Sequence, residues 1–132
     1  MTTSNPADDN KALVLAGITG VFIDRDPTVL DRVFSDDYKQ HNPQIPNGTA
    51  AIKSLLQNLS RDFEYTPGVV VSDGDYVMAH GRYVGWGPKP IIGVDIFRVA
   101  GGKIAEHWDV LQEEIPAEQS VNGNDMFTGP RG

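Results

Sequence analysis

Cysteine is absent from this chain of 132 residues, which excludes disulfide scaffolds, cysteine-rich zinc sites and cysteine nucleophiles. Basic residues are outnumbered: the net charge is −7 with no basic stripe, which argues against nucleic acid and anionic membranes as partners. No hydrophobic run is long enough to span a bilayer, and the polar start has no signal-peptide pattern. Because nothing requires an oxidising compartment, we expect a cytoplasmic location.

The apolar content is 39%, and hydrophobic segments recur along the whole length. This length and composition are typical of one folded domain with a real core. We therefore expect a single domain over residues 1–132, with extended or loosely ordered ends at about 1–7 and 115–132. Met126 and Phe127 in the second of these ends are candidates to dock on the body or on a partner.

The first half of the chain has the hydrophobic period of helices. Residues 8–23 repeat apolar side chains at a period near 3.6, and residues 49–60 do the same. A short helix between them starts near Pro27, which suits a first turn, and stops at residues 35–37. Residues 38–43 are expected to be extended, because Pro43 biases the preceding residue away from helix.

The second half has the pattern of strands. Residues 63–72 and 76–86 flank Asp73-Gly74, a strong hairpin signal, and residues 91–99 and 103–112 flank a glycine-containing turn. Helices followed by an antiparallel meander predict an α+β domain. We expect one strongly curved, mostly antiparallel sheet with three N-terminal helices over its concave face.

The register of the last hairpin decides which polar groups meet. A two-residue turn at Gly101 and Gly102 would place Asp95 opposite Trp108. A three-residue turn with Gly102 at positive φ, followed by a bulge, places Asp95 opposite His107. We favour the second register, because glycine suits the required positive φ.

The favoured register divides the last two strands into two faces. The face that carries the polar cluster contains Asp95, Phe97, Val99, Ala105, His107, Asp109 and Leu111. The other face contains Val94, Ile96, Arg98, Ile104, Glu106, Trp108 and Val110. We expect this second face to form a homodimer interface, with Arg98 and Glu106 paired across the strands.

The neighbouring strand adds further candidates. His80 alternates with Met78 and Trp86. If their face is also concave, these residues join Phe97 and the polar cluster in one cavity. A lining of mixed apolar and polar residues is typical of a small-molecule pocket.

Three segments have a characteristic sequence: Tyr38-Lys39-Gln40-His41-Asn42-Pro43, the strand at residues 94–99, and residues 102–112 with Glu106-His107-Trp108-Asp109. Together they resemble the SnoaL-like polyketide cyclase family of the nuclear transport factor 2-like superfamily. The resemblance covers most of the chain in the same order of elements. It implies a cone-shaped α+β barrel, usually dimeric, with a pocket between the helices and the curved sheet.

The resemblance also implies a chemistry. In characterised cyclases an aspartate near the end of the late strand acts as acid and base in an intramolecular aldol closure, without metal or cofactor. Asp109 is the matching position, and Asp95 matches another polar pocket position. The resemblance also raises His41 and Tyr38 as candidate substrate contacts. The superfamily includes isomerases, dehydratases, epoxide hydrolases and binding domains, so the fold leaves the reaction open.

The working hypothesis is acid/base chemistry on a small carbonyl compound, with no cofactor. Asp109 would remove a proton next to the carbonyl, and a histidine would bind the enolate oxygen or return a proton. The proposed catalytic residues are Asp109, His107 and Asp95, and the proposed substrate contacts are His41, His80, Tyr38, Trp86, Phe97 and Met78.

Other interpretations stay open at this point. His107 and Asp109 can form a purely structural pair, and His80 alone can be an interior histidine with satisfied hydrogen bonds. The same cavity can belong to a binding domain for a small apolar ligand. A metal site from His41, His80, His107 and a carboxylate is a third alternative, although their spacing matches no compact metal motif.

Overall fold

The computed structural model describes residues 6–129. Its helices are α1 (Pro6–Phe22), α2 (Thr28–Val33) and α3 (Ala50–Asn58). Its strands are β1 (Phe34–Gln40), β2 (Glu64–Asp73), β3 (Tyr76–Val84), β4 (Ile91–Ala100) and β5 (Lys103–Glu113), followed by a 3₁₀ turn at Ala117–Gln119. No helix within this part of the chain is both long enough and apolar enough to cross a membrane.

The five strands form one mixed sheet in the order β1-β5-β4-β3-β2. All neighbours are antiparallel except β1, which runs parallel to β5. The predicted α+β class, with three helices and a curved, mostly antiparallel sheet, is confirmed. The sheet is not closed, since β1 and β2 are its two edges.

Strand β1 starts earlier than the sequence suggested. Phe34 follows α2 directly and is already extended, with φ −100° and ψ 144°. We had assigned Phe34 to the short helix and expected extended chain only from Tyr38. The difference matters for the site, because the parallel pairing with β5 aligns Gln40 with His107.

The hydrophobic core lies between the helices and one face of the sheet. Buried residues of α1 and α2 pack over buried residues of the strands. The helices contribute Val14, Ile18, Val21 and Leu30, and the strands contribute Tyr65, Val77, Tyr83, Phe97 and Ile104. Gly20 permits the close contact between α1 and α2, because a Cβ atom there would lie 2.8 Å from a methyl carbon of Val29. This face of the sheet is called the inner face below.

Neither register that we considered for the β4–β5 hairpin is correct. The turn is the two-residue type, with Gly101 and Gly102 both at positive φ, at 58° and 74°. One extra residue, Ala105, then shifts the pairing between Val99↔Ile104 and Arg98↔Glu106. Compared with a two-residue turn alone, the turn and the bulge together move the partner of Asp95 one residue later in β5. The register that we favoured moves it one residue earlier.

The consequence is that Asp95 lies opposite Asp109, and His107 lies opposite Phe97. Asp95, His107 and Asp109 still share one face, as predicted, because the displacement from the favoured register is an even number of residues. Ile104 was assigned to the outer face and is instead fully buried in the core, since it precedes the bulge that changes the alternation.

The tail that follows β5 returns to the sheet. The Phe127 ring lies 5.3 Å from the His80 ring, and it occupies the space beside Gly68 in β2. The backbone N–H of Ile115 points at the sulfur of Met126, 3.2 Å away. Met126 and Phe127 therefore dock on the body of the same chain.

Candidate functional site

A cavity of about 570 Å³ lies between the helices and the inner face of the sheet. Apolar lining residues come from α1, α3, the sheet and the loop after β3, including Ile18, Val21, Phe22, Leu55, Trp86 and Ile91. A polar cluster in the wall consists of Gln40, Asn42, Asp95, His107 and Asp109. No lysine or arginine lines the cavity in the part of the chain that the structure describes.

Asp95, His107 and Asp109, called the inner trio, form the centre of that cluster. Successive residues of a strand point to opposite faces, so His107 and Asp109 both point inward from β5, with Asp95 beside them on β4. Nε2 of His107 lies 2.8 Å from Oδ1 of Asp95 and 4.0 Å from Oδ2 of Asp109. Asp95 and His107 are only 5% and 6% exposed, so their contact is shielded from water.

Asp95 is fully engaged by protein groups. One carboxylate oxygen faces His107, and the other accepts a hydrogen bond from the hydroxyl of Tyr83. Burial, and then the charge of Asp95, raise the pKa of Tyr83 well above its ordinary value, so its hydroxyl keeps the proton that it donates. Asp95 therefore holds His107 in place and has no carboxylate oxygen without a protein partner.

Asp109 has a different environment. Both of its oxygens accept from the side-chain amide of Asn42, at 2.9 and 3.1 Å. The described residues provide no other hydrogen-bond donor to this carboxylate. Asp109 lines the cavity, so its remaining lone pairs can accept a proton from a bound molecule.

The sequence interpretation missed Gln40 and Asn42. Both follow from one pattern: in the extended segment after Tyr38, alternate side chains point inward, and the parallel pairing with β5 sets that segment beside the inner trio. Gln40 contacts His107 at 2.6 Å, as Asn42 contacts Asp109. The available signal was the presence of polar side chains at alternate positions of residues 38–43, the segment that resembles the family.

His41 points away from the cavity, between these two residues. Its Nε2 lies 2.6 Å from Glu106, and its ring is stacked on Trp108 with a centroid distance of 4.7 Å. Arg98 binds the other oxygen of Glu106 at 2.9 Å, which is the cross-strand pair that we predicted. We call His41, Arg98, Glu106 and Trp108 the outer cluster. The expected place of His41 in the pocket is wrong, because alternation turns it outward.

His80 and Met78 also lie on the outer face, so their expected place in the cavity is wrong. The buried, inward positions of β3 are Val77, Ala79, Gly81 and Tyr83. Strand periodicity then directs Met78 and His80 to the opposite side, where His80 contacts Phe127. The sequence could not determine which of the two alternating sets in β3 faces the helices.

Tyr38, Phe97 and Trp86 line the cavity, where we expected them. Trp86 has the same sequence parity as His80 yet points inward. Gly85, at φ 101°, ends the alternation and turns the chain, which brings Trp86 against Tyr83 with a centroid distance of 4.4 Å. Burial and the charge of Asp95 also raise the pKa of Tyr38, so its hydroxyl stays protonated.

One group of side chains in the described residues has the geometry to hold a cation. The nearest donor atoms of Asp95, His107 and Asp109 lie within 4.8 Å of one another. Two carboxylates and one imidazole match the ligands of several divalent metals. The three-histidine site considered above does not form, since His41 and His80 point away from His107.

Comparison with known proteins shows a family and a fold. The sequence profile of the SnoaL-like domain matches residues 15–107. No curated protein sequence matches the chain. A proposed ketosteroid isomerase from Kribbella flavida is 18% identical, with a TM-score of 0.71 over 92% of this chain and 97% of that one.

Two other solved structures are similar to the same extent. TsrD from Streptomyces laurentii is 19% identical, with a TM-score of 0.67 over 83% of this chain and 92% of that one. A proposed polyketide cyclase from Bacillus cereus is 19% identical, with a TM-score of 0.67 over 78% and 74% of the two chains. The profile match covers well over half of the sequence, so this chain belongs to the SnoaL-like domain family.

Proposed function

We propose that this protein is an acid/base enzyme that needs no cofactor and acts on a small, uncharged carbonyl compound, as an isomerase or an aldol cyclase. The observation that carries the proposal is the position of Asp109. Its carboxylate lines a largely apolar cavity beside a buried imidazole, with one amide as its partner. A carboxylate in such a place has the position of a general base.

The charge of the lining supports an uncharged substrate. Two carboxylates face the cavity, and the one basic side chain in the described lining, His107, already faces Asp95. An anionic ligand about 5 Å from an unpaired carboxylate would be repelled by about 3 kcal/mol at an effective dielectric constant of 20. The aromatic rings of Phe22 and Trp86 supply apolar surface for a neutral carbon skeleton.

The chemical step follows from the inner trio. Asp109 takes a proton from the carbon next to the substrate carbonyl, and the electrons of the broken C–H bond form an enolate. In an isomerase, Asp109 returns the proton at another carbon. In a cyclase, the enolate carbon attacks a second carbonyl of the same molecule, and the proton goes to the new alkoxide. Asp95 and His107 support Asp109 and do not react themselves, because their polar atoms are engaged by protein groups.

The relatives agree with this proposal at the level of reaction type. The similar structures include one proposed ketosteroid isomerase and one proposed polyketide cyclase. Ketosteroids and polyketides both contain ketone carbonyls. Their identities below 20% leave the choice between the two reactions to experiment.

The test separates an enzyme from a binding domain. Neutral ketones are first screened for binding, and those that bind are incubated with the protein in deuterium oxide. We expect deuterium to appear next to the carbonyl, as measured by NMR. A ketone that binds in the cavity and does not exchange would favour the binding-domain alternative. Exchange that is lost on chelation and restored by a divalent metal would instead assign the inner trio as metal ligands.

We further propose that the outer face of the sheet forms a homodimer interface. Val71, Met78, Val94 and Val110 are exposed there, at 36–71% of their full surface. A row of exposed apolar side chains on one sheet face is typical of a subunit contact. Light scattering should give a dimer for the native chain and a monomer for Val94→Glu. A monomeric native chain at micromolar concentration would contradict this assignment.

A further inference from the structure

Gln40 contacts the one nitrogen of His107 that does not face Asp95. Its side-chain oxygen lies 2.6 Å from Nδ1, and the pairing of β1 with β5 places the two residues directly side by side. His107 therefore has a polar neighbour on each nitrogen: an amide on one side and a carboxylate on the other.

The orientation of the Gln40 amide follows from its other neighbours. The same oxygen accepts the backbone N–H of His41 at 3.1 Å and the backbone N–H of Asn42 at 3.0 Å. The reverse orientation would place an NH₂ group against two N–H donors, which cannot hydrogen-bond to it. The atom that faces Nδ1 is therefore an acceptor, and Nδ1 must carry a proton.

We propose that Gln40 is a positioning residue that keeps His107 protonated at Nδ1, so that Nε2 of His107 and Oδ1 of Asp95 share one further proton. When this proton is on Nε2, the pair is an imidazolium beside a carboxylate. When it is on Oδ1, the pair is a neutral imidazole beside a carboxylic acid. Both states have no net charge, so the shared proton moves without changing the charge of the buried pair.

This arrangement keeps His107 from competing with Asp109. With Nδ1 bound to Gln40 and Nε2 bound to Asp95, neither nitrogen is free for a ligand. Without the Gln40 acceptor, the ring is free to lose its Nδ1 proton, and the unprotonated nitrogen would be a second base beside Asp109. For histidines that bind metals, removing such an orienting partner commonly costs about 10–100-fold in affinity or activity, and we expect an effect of the same order here. The effect on rate rests on the proposed function, whereas the protonation state of Nδ1 does not.

The test is NMR of protein labelled with ¹⁵N-histidine. The His107 signals are the ones that disappear in His107→Gln. We compare the native protein with Gln40→Met, which keeps the length but removes the acceptor, and with Gln40→Glu, which restores an acceptor. Gln57→Met, on the exposed side of α3, is the matched control.

We expect a protonated Nδ1 in the native protein, a changed ring protonation pattern in Gln40→Met, and the native Nδ1 signal in Gln40→Glu and in the control. If the protein catalyses exchange, Gln40→Met should slow it by about 10–100-fold. An unprotonated Nδ1 in the native protein would overturn the proposal, even if Gln40→Met did not fold. An unchanged pattern in folded Gln40→Met would also overturn it. A protein with no activity but with the expected signals would contradict only the proposed function.

Discussion

The two faces of β5 use the same kinds of side chain for different ends. On the inner face, His107 and Asp109 lie with Asp95 in a largely buried wall, with no arginine or lysine in the described cavity lining. On the outer face, Glu106 is bound by His41 and by Arg98, in contact with solvent. Carboxylate and imidazole meet on both faces, one residue apart in sequence.

The difference lies in how the charges are balanced. Hydrogen bonds from His41 and Arg98 lower the pKa of Glu106, so it stays ionised and has its partners in the protein. The inner trio has two carboxylates for one imidazole, and Asp109 has no cationic partner of its own among the described residues. A satisfied ion pair stabilises structure, whereas an incompletely paired carboxylate in a cavity has capacity to react.

The largest effect is expected at Asp109. Asp109→Asn keeps the size and the neighbours of the side chain but removes the base. It should slow exchange of a bound ketone by about 10²–10⁴-fold while the protein stays folded. Circular dichroism checks the fold, and Glu106→Gln is the matched control with a near-native rate. A folded Asp109→Asn protein with native exchange rates would exclude Asp109 as the base.

The next largest effect concerns stability. Asp95→Ala removes the buried partner of His107 and leaves the hydroxyl of Tyr83 without its acceptor. Breaking a buried pair by removing one partner costs about 3–5 kcal/mol of the free energy of unfolding. Glu106→Ala should cost clearly less, because its partners can turn to solvent. Urea denaturation measures both, and equal losses would remove the distinction between the two faces.

Alkaline pH should destabilise the protein through the buried tyrosines of the inner face. Burial and the charge of Asp95 raise the pKa of Tyr65 and Tyr83 in the folded protein. A raised folded pKa contributes stability that is complete below the unfolded value of 10.0 and is lost as pH rises above it. In Tyr65→Phe, the free energy of unfolding should therefore fall less steeply as pH rises above 10.0 than in the native protein. It should leave stability at neutral pH nearly unchanged, because the described residues offer the Tyr65 hydroxyl no hydrogen-bond partner.

The smallest effect is expected from acid on the outer cluster. The folded pKa of Glu106 lies below its ordinary value of 4.5, so its contribution to stability is present above pH 4.5. That contribution is lost as pH falls through the folded pKa. Stability measured by denaturant from just above to well below pH 4.5 should decline less steeply in Glu106→Gln than in the native protein. Identical slopes would show that the contacts of Glu106 with His41 and Arg98 contribute nothing to folding stability.

Most of the fold was predictable because it follows from local periodicity. Helical and strand patterns indicated the order of elements, and alternation placed His107 and Asp109 on one face. Asp95 was assigned to the same face through a hairpin register that differs from the observed one by two residues, so the face is right and the pairing is not. The hairpin register was not predictable, because the two-residue turn is followed by an extra residue at Ala105. A bulge depends on packing against the core, here that of Ile104, and leaves little trace in sequence.

The remaining errors at the site share one physical origin. The alternation of side chains along a strand shows which residues share a face, but only tertiary packing determines which face is buried. His80 and His41 were placed inward for lack of that information. Gln40 and Asn42 were missed because their importance depends on a parallel pairing between strands more than 60 residues apart in sequence. Trp86 reached the cavity only because Gly85 breaks the alternation of β3.

The central claim is that Asp109, and neither Asp95 nor the outer cluster, meets the substrate. A crystal structure with a bound neutral ketone tests it most directly. We predict the carbon next to the carbonyl beside a carboxylate oxygen of Asp109, the carbon skeleton against Phe22 and Trp86, and an undisturbed contact between His107 and Asp95. A ketone that contacts Asp95 directly, or that binds on the outer face, would contradict the account.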